Sequence, residues 1–314
     1  MKFIKSLMLV FAAMFVFSAN AEEVKKTVLG VEKFSYSSSF SEADVQLIRD
    51  QIINAVQKTG RVIVVDRNSS TDNALNSESE RRKQESAMDA NTVADMTSLN
   101  ANSLLTVHLD QMAITQETYI DKETKKVGDK YQTVVKGKYP YLAATLTYTV
   151  KIINCENGSV QAQETFKRSV GTFDRVDMKP EFTNQSDIHQ AAINNCVDQD
   201  KFTILILNTF KAQGKILQVA EGDAKKAKAV YVSLGSEDGV QKKQVLEVFK
   251  EIDIAGEVST QLIGEIEVVE IMGASRCLAK VKKGGDQIQM VMAAGGNLPV
   301  KSRSVKERFF GGVK

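Results

Sequence analysis

The sequence predicts an α+β protein, in which an α/β-like N-terminal domain with a mixed sheet and helices precedes a small all-β barrel. Three observations support this fold class. Val62–Val65 is a run of four β-branched apolar residues, which is typical of a strand buried on both faces. Tyr141–Ile153 alternates apolar with polar residues, as a strand with one buried face does. After Lys215, short strand patterns and turns recur about every eight to twelve residues, which indicates a small barrel or sandwich.

The first elements predict a βαβ unit. Thr27–Phe34 is the first strand, and Ser41 followed three residues later by Asp44 is a capping-box start. The helix that follows carries its apolar residues on one stripe. It ends before Gly60, a residue suited to the left-handed position that closes a helix. Val62–Asp66 then forms the second strand, so we expect a right-handed crossover between parallel strands.

The next segment is polar and leads into long strands. Glu78–Met88 is predicted to be a charged, solvated helix and Thr92–Leu99 a second helix. Ser103–Leu109 is an apolar strand. Ile114–Lys138 alternates polar and apolar residues on both sides of a charged stretch at 121–130, which is predicted to be a turn.

The end of this domain is predicted to be a hairpin and a helix. The strand Tyr141–Ile153 stops at the turn Glu156–Gly158, and Val160–Arg168 is the return strand. Gln185–Phe210 repeats its apolar residues at helical spacing, so we expect one long helix there.

The C-terminal part predicts a barrel of short strands. Turns are expected at Ser236–Gly239, at Gly256 and at Lys283–Gly285. The expected strands are Ala229–Leu234, Val245–Lys250, Leu262–Ile271 and Arg276–Lys282, with a further candidate at Gln287–Met292. The expected division of the chain is 1–21 for a signal peptide, 22–212 for the α/β domain, 215–303 for the barrel and 304–314 for a tail.

The N-terminus has the pattern of a secretory signal peptide. Lys2 and Lys5 supply the charged start, Leu7–Phe17 the apolar segment, and Ala19–Ala21 the small-residue cleavage site. The apolar run is too short to span a bilayer. No cysteine lies near the cleavage site, so we do not expect a lipoprotein. We therefore expect an exported protein that is periplasmic or associated with the outer membrane.

The charge balance argues against a nucleic-acid partner. Without Lys2 and Lys5, 39 of the 41 basic residues remain against 39 acidic residues, so the mature chain is formally neutral. Binding to a polyanion requires a concentrated basic surface. We expect no nucleic-acid binding.

The sequence contains no catalytic, cofactor or metal motif. The sequence lacks phosphate-binding glycine loops, the zinc-protease helix, the nucleophile elbow and paired C-x-x-C spacings. His108 and His189 have no second histidine or cysteine at ligand spacing, so both are expected to be structural. Ser236–Gly239 resembles part of a calcium loop but lacks its spaced ligands, and we interpret it as a turn. We expect no enzyme, no cofactor and no metal.

The cysteines do not form a disulfide framework. Cys155, Cys196 and Cys277 are too few for one. A bridge between Cys155 and Cys196 stays open in an oxidising compartment, whereas buried free thiols are the favoured interpretation.

The N-terminal domain resembles the periplasmic domain of the curli-secretion-channel (CsgG-type) family over roughly residues 24–212. The residues that carry the resemblance are the strands Val28–Phe34, Gly60–Arg67 and Ser103–Leu109 and the hairpin Tyr148–Gly158. A related α/β fold occurs in lipoprotein activators of peptidoglycan synthases. The resemblance implies an accessory protein in assembly or secretion at the cell envelope.

The C-terminal part is similar to the last domain of flagellar assembly protein T. Tyr231–Val240, Ile263–Glu270 and Ala279–Val281 carry this similarity, and Lys243 stands where that family often has a second turn glycine. The similarity implies a small β-barrel module of the kind found in envelope proteins.

One departure from the secretion channels bears on function. Their hairpins face lipid, whereas the corresponding insert here, Ile114–Lys138, is charged. A charge on a lipid-facing strand costs several kcal/mol at mid-bilayer. The charged residues are Glu117, Asp121, Lys122, Glu123, Lys125, Lys126, Asp129 and Lys130. We therefore expect a relative that stays outside the bilayer rather than a pore.

The function expected from the sequence is that of an exported, non-enzymatic envelope protein that acts by protein–protein binding. The alternatives are an oligomeric secretion-channel component, a periplasmic activator of peptidoglycan synthases, and an enzyme built from scattered carboxylates. Expected partners are envelope proteins or further copies of the chain, with at most peripheral membrane contact.

The binding surface is expected at the sheet edges and at Ile114–Lys138, where another chain can extend unpaired strands. The alternative is that this hairpin covers an edge of its own sheet. In that case the barrel, residues 215–303, is the next surface to consider.

Overall fold

The computed structural model describes residues 26–67, 101–170, 176–177, 185–254 and 256–306. The predicted fold class is confirmed, because a mixed sheet with helices is followed by a closed antiparallel barrel. The predicted signal peptide, the two helices expected between 78 and 99, and most of the expected tail lie outside the described residues.

The first sheet combines parallel and antiparallel strands, in the order β3-β1-β4-β5-β6, with β2 paired to β4 and β7 to β5. Strand β1 is parallel to both of its neighbours, β3 and β4. The elements of this part are β1 (Thr27–Glu32), β2 (Ser35–Tyr36), α1 (Glu42–Lys58), β3 (Val62–Arg67), β4 (Ser103–Val127), β5 (Lys130–Asn154), β6 (Val160–Val170), β7 (Val176–Asp177), α2 (Gln185–Cys196) and α3 (Gln199–Thr209).

The predicted βαβ unit is confirmed in its main features. Ser41 and Asp44 form the reciprocal capping box at the start of α1. Gly60 takes a left-handed φ of 64° just after the helix. Strands β1 and β3 are parallel, with Thr27 opposite Val62. The expectation that β3 is buried on both faces is wrong, because β3 lies at the edge of the described sheet and Ile63 is 41% exposed.

One hydrophobic core joins the sheet to its helices. Ile48, Ile52 and Val56 form the predicted stripe of α1 and are fully buried against the sheet. Burial of side chains of this size contributes about 1.5–3 kcal/mol each. Helix α3 reaches the same core through Phe202, whose ring centroid lies 6.0 Å from that of Phe166.

The single long helix predicted over Gln185–Phe210 is wrong. Helix α2 ends at Cys196 and α3 begins at Gln199. Asp198 interrupts the helix because its carboxylate accepts a hydrogen bond from the backbone N–H of Lys201 at 3.1 Å. This is the N-cap role that short polar side chains favour, and it directs Phe202 into the core.

The second part of the chain forms a barrel with its own core. Among the described residues, strands β10-β11-β12-β9-β8-β13 close in that order. Val232, Leu246 and Ile266 are fully buried within it. The elements are β8 (Gln213–Gly222), β9 (Ala227–Val232), β10 (Val245–Ile254), β11 (Glu257–Ile271), β12 (Cys277–Lys283), α4 (Gly285–Ala293) and β13 (Pro299–Ser302).

The barrel differs from the sequence prediction at three elements. The candidate strand Gln287–Met292 is wrong, since these residues belong to helix α4. Ile288 is buried in the barrel core, and Val291 and Met292 pack against it at helical spacing. The strands β8 and β13 were missed by the sequence pattern.

The sheet and the barrel meet closely at the end of α1. The backbone of Gly239, in the confirmed turn Ser236–Gly239, is so close that an added Cβ would lie 2.1 Å from the carbonyl oxygen of Thr59. A second connection is made by Asn208 of α3, whose side chain both donates to and accepts from the backbone of Val305, at 3.0 and 2.8 Å.

Candidate functional site

The prominent surface feature of the described chain is a β-hairpin that extends beyond its sheet. Strands β4 and β5 pair along their whole length, from Ser103 opposite Asn154 to Val127 opposite Lys130. The neighbouring strands β6 and β7 pair with β5 only as far as Tyr141. Within the described residues, Thr118–Pro140 therefore pairs only with itself. We call this segment the arm.

The arm is long and ends in a tight turn. It has ten residues on β4 and eleven on β5, and ten residues at about 3.4 Å each give a reach of roughly 30 Å. The loop consists of Gly128 and Asp129 alone, and Gly128 has a φ of 65°. A glycine at the first position of a two-residue loop is typical of a type II′ turn, whose twist matches that of the strands. The predicted turn over 121–130 is therefore wrong in extent, because its charged residues lie on the strands.

The side chains of the arm are almost all exposed. Between Lys122 and Pro140, only Glu123 and Gly137 are partly buried. The exposure of Tyr131, near the tip, is 74%. The other large apolar side chains exposed along the arm are Ile120, Val127, Val134, Val135 and Tyr139.

Both faces of the arm mix apolar and charged side chains. On one face Tyr119 lies opposite Tyr139, followed toward the tip by Glu123 opposite Val134. On the other face Lys126 lies opposite Tyr131. Neither face is a continuous apolar band.

The outer part of the arm is basic. Glu123 and Asp129 are its acidic residues between 122 and 138, against six lysines, which gives a net charge of +4. Glu123 lies within salt-bridge distance of two of these lysines, at 3.4 and 3.5 Å. The lysines are Lys122, Lys125, Lys126, Lys130, Lys136 and Lys138.

The root of the arm is anchored by a buried tyrosine. Tyr141 is 4% exposed, and its hydroxyl donates to the carboxylate of Glu117 across the strand pair at 2.5 Å. Just outside this pair, the Tyr139 ring covers Gly137, where an added Cβ would lie 2.7–2.9 Å from ring atoms. The arm thus leaves the sheet from a fixed position. Among the described residues it pairs with neither edge strand of the sheet.

His189 on α2, which was predicted to be structural, has a carboxylate partner. Nδ1 of His189 lies 3.1 Å from Oδ1 of Asp44, and Oδ2 of Asp44 accepts from the Ser41 hydroxyl at 2.6 Å. Burial acts to raise the pKa of Asp44, but the hydrogen bonds from Ser41 and His189 hold that pKa below its usual value. The carboxylate lies between the hydroxyl and the imidazole, so the imidazole does not activate the serine.

The other candidate residues are also accounted for by local contacts. His108 is exposed, and its Nδ1 lies 2.8 Å from the hydroxyl of Ser35. Within the described ranges, no group of three His, Cys, Asp or Glu residues is placed to hold a metal ion.

The cysteines are free thiols. Cys196 and Cys277 are buried as expected, and burial raises the pKa of both thiols, that of Cys277 to about 11. Cys155 is exposed and not bridged to Cys196, so the buried-thiol interpretation is wrong for this residue.

The described helices give no sign of a transmembrane span. None of them combines the length and the hydropathy needed to cross a bilayer.

Comparison with known proteins gives a distant similarity in fold. No protein-family model and no curated protein matches the sequence. Solved structures similar to it include a DUF330-family protein from Xanthomonas campestris, with a TM-score of 0.31 at 12% identity over 61% of this chain and 87% of that chain. The hypothetical protein CT253 from Chlamydia trachomatis has a TM-score of 0.29 at 10% identity, over 58% and 98% of the two chains. The PelC dodecamer from Paraburkholderia phytofirmans has a TM-score of 0.26 at 14% identity, over 55% and 86% of the two chains.

Similarity at these TM-scores transfers no function to this chain. The resemblances to the curli-secretion-channel family and to flagellar assembly protein T rest on short motifs, and no family model supports them. The arm was found from the sequence as a charged, alternating insert, but its full length as a projecting hairpin was not.

Proposed function

We propose that this protein is an exported, non-enzymatic component of the cell envelope that binds another protein through the arm. The observation that carries the proposal is the hairpin Thr118–Pro140, which pairs only with itself in the described chain. An isolated two-stranded hairpin is at best marginally stable in water. A hairpin of this length that exposes tyrosine and valine side chains is better explained by a partner that covers it.

The backbone of the arm supports recognition by strand addition. Its two outer edges carry N–H and C=O groups that the described sheet leaves unpaired, and an extended segment of another chain can pair with them. Exposed lysines on an edge discourage indiscriminate pairing. The net charge of +4 between residues 122 and 138 favours a partner segment rich in Asp and Glu.

The charges of the arm also support a place outside the bilayer. Lysines occur on both faces and carboxylates on one of them, so either face turned to lipid would bury charge. A lysine on a lipid-facing strand costs about 2–4 kcal/mol at mid-bilayer. Export is supported by the pattern Lys2–Ala21. A role in assembly or secretion is supported only by the motif resemblances.

The contacts of two buried titratable side chains, Asp44 and Arg49, support the non-enzymatic part of the proposal. Asp44 caps α1 and holds His189. Arg49 is bound to Asp66 and to the carbonyl oxygen of Val31. The contacts of Asp44 with His189 and of Arg49 with Asp66 and Val31 each join one element of the fold to another.

The test removes the arm between two residues that pair directly across its strands. Because Thr118 and Pro140 face each other in the ladder, residues 119–139 can be replaced by Asn-Gly, a dipeptide that favours a two-residue hairpin turn. The tagged mature protein and this variant are each used to capture and cross-link partners from envelope extracts. We expect a partner that the full-length protein retains and the armless variant loses, with the same thermal unfolding curve for both.

A matched control shortens the other long hairpin. Glu251 and Thr260 face each other in β10–β11, so residues 252–259 can be replaced by Asn-Gly in the same way. We expect this variant to keep the partner. An unchanged partner list for the armless protein overturns the proposal, and loss of the partner from the control variant alone moves the binding surface to the barrel.

A further inference from the structure

A polar cleft lies where the sheet meets the barrel. It has a volume of about 470 Å³ and is lined by residues from both parts of the chain. The lining residues that matter here are Lys26, Arg61, Asn102, Gln161, Lys211 and Asp238. None of them belongs to the arm, so a ligand of this cleft is independent of the function proposed above.

Arg61 is the buried cation of the cleft wall. It is 6% exposed, and its Nη1 donates to the backbone carbonyl of Asp238 at 2.9 Å. Its Nε and Nη2 are buried, and neither has a hydrogen-bond partner among the described residues. Burial lowers the pKa of Arg61 to about 10, and the charge of Asp238 opposes this shift. Buried polar groups are nearly always hydrogen-bonded, so two unpaired donors on one guanidinium require an explanation.

The two unpaired nitrogens form one recognition edge. Nε–H and Nη2–H lie side by side on the guanidinium plane and point in the same direction, which is the arrangement that binds a carboxylate through two parallel hydrogen bonds. The bond from Nη1 to the Asp238 carbonyl holds the plane in place. The Asp238 carboxylate is itself engaged, because it accepts from the N–H of Gly235 at 2.8 Å.

The amides of the cleft present donors as well. The side-chain oxygen of Asn102 accepts from the N–H of Val28 at 2.9 Å. The side-chain oxygen of Gln161 accepts from the hydroxyl of Ser103 at 2.9 Å. In each amide the acceptor is occupied, and the NH₂ group is the part left to donate.

The charges of the lining select the ligand. Lys26, Arg61 and Lys211 oppose Glu156 and Asp238, which leaves a formal net charge of +1. A singly charged anion neutralises this net charge of +1. A phosphate dianion would leave an excess negative charge close to the two carboxylates. We propose that the cleft binds a carboxylate-bearing ligand, held by the Nε/Nη2 edge of Arg61 and assisted by Lys26 and Lys211. Side chains of the wall must move aside to admit it, as interface side chains commonly do on binding.

The test observes the proposed donor directly. In the ¹⁵N-labelled mature protein, the Nε–H resonance of Arg61, assigned with Arg61→Lys, is followed while acetate is added to about 100 mM, enough to saturate a millimolar site. Sodium chloride at equal ionic strength and inorganic phosphate are the reference titrations. We expect a saturable downfield shift with acetate alone. No shift with acetate, or an equal shift with phosphate, overturns the proposal.

A peptide titration distinguishes the source of the carboxylate. Trialanine with a free C-terminus is compared with its C-terminal amide in the same experiment. Stronger binding of the free peptide than of acetate, with none by the amide, assigns a peptide C-terminus. Equal binding of acetate and the free peptide assigns a small carboxylate.

Variants separate recognition from folding. Arg61→Lys keeps the charge but removes the fork, and we expect the affinity for the carboxylate to fall by about tenfold or more. Lys211 is less buried than Arg61, so Lys211→Gln should weaken binding of the carboxylate without unfolding the protein. This variant tests the proposal if Arg61→Lys does not fold. Lys250→Gln on β10, an exposed lysine outside both the cleft and the arm, is the matched charge control and should bind like the wild type. Unchanged affinity in Lys211→Gln and in folded Arg61→Lys contradicts the proposal.

Discussion

Tyr141 and Glu117 face each other across β4 and β5 and are joined by a hydrogen bond of 2.5 Å at the root of the arm. This pair marks the point at which the hairpin passes from the supported sheet to the unsupported arm. Tyr141 is buried and Glu117 is exposed, so the bond connects the packed part of the sheet to the solvated part.

Tyr141→Phe should loosen this root. We expect a loss of about 1 kcal/mol in the free energy of unfolding, because hydrogen bonds to charged groups contribute about 1.5–3 kcal/mol and Glu117 is open to solvent. Urea unfolding followed by circular dichroism measures it. Tyr139→Phe is the control, since its ring lies on the exposed arm and its loss of a hydroxyl should change stability little. Equal effects of the two substitutions would argue against an anchoring role for Tyr141.

Asp44 should make stability depend on pH in the acid range. Its pKa is lowered in the fold relative to the ordinary 3.8, so its stabilising contribution is fully present above the unfolded value. That contribution is lost as the pH falls through the folded pKa. Asp44→Asn should therefore destabilise the protein by about 1–3 kcal/mol at neutral pH and by less at about pH 3.

The measurement is urea unfolding of the wild type and Asp44→Asn at both pH values. Asp50 is an exposed carboxylate of the same helix whose Oδ1 accepts from Gln46, so Asp50→Asn serves as the control and should destabilise the protein less at neutral pH. A constant difference between wild type and Asp44→Asn at both pH values would contradict the assignment.

The contact between the sheet and the barrel should be intolerant of a side chain at Gly239. Its φ is 63°, and an added Cβ would lie 2.1 Å from the Thr59 carbonyl oxygen. We expect Gly239→Ala to cost about 3 kcal/mol or more, because backbone strain and a backbone clash combine. Gly256→Ala is the matched control, since Gly256 has a φ of 91° and nothing within 4 Å, and it should cost only about 1–2 kcal/mol. Thermal unfolding compares the two, and similar melting temperatures would refute the close contact.

The mature protein should remain in the aqueous fraction without detergent. The arm exposes lysines on both faces, so it cannot present a continuous apolar band to lipid. Flotation with lipid vesicles and extraction of membranes with high salt measure this, and any bound protein should be released by salt. Heat-modifiable oligomers that require detergent would instead restore the channel interpretation.

Local sequence patterns predicted the elements whose structure depends on near neighbours. Ser41 and Asp44 predicted the start of α1, and Gly60 predicted its end. Both signals are local, because capping and left-handed turns involve residues a few positions apart. The alternation in Tyr141–Ile153 predicted the central strand for the same reason. The sequence pattern missed the break at Asp198, because apolar residues continue at helical spacing on both sides of it. In the structure the Asp198 carboxylate accepts a hydrogen bond from the N–H of Lys201 and caps a new helix.

The sequence by itself thus determined the fold class and the positions of most strands and helices, along with the charged character of the insert. The tertiary structure alone decided which distant residues they contact and which of them are buried. It turned a charged insert into a projecting arm, placed Asp44 against His189 across 145 positions, and buried Arg61 beside Asp238 across 177. The physical reason is that capping, periodicity and turns are local properties of the chain. Edge exposure, paired charges and clefts depend on which distant segments the two cores bring together.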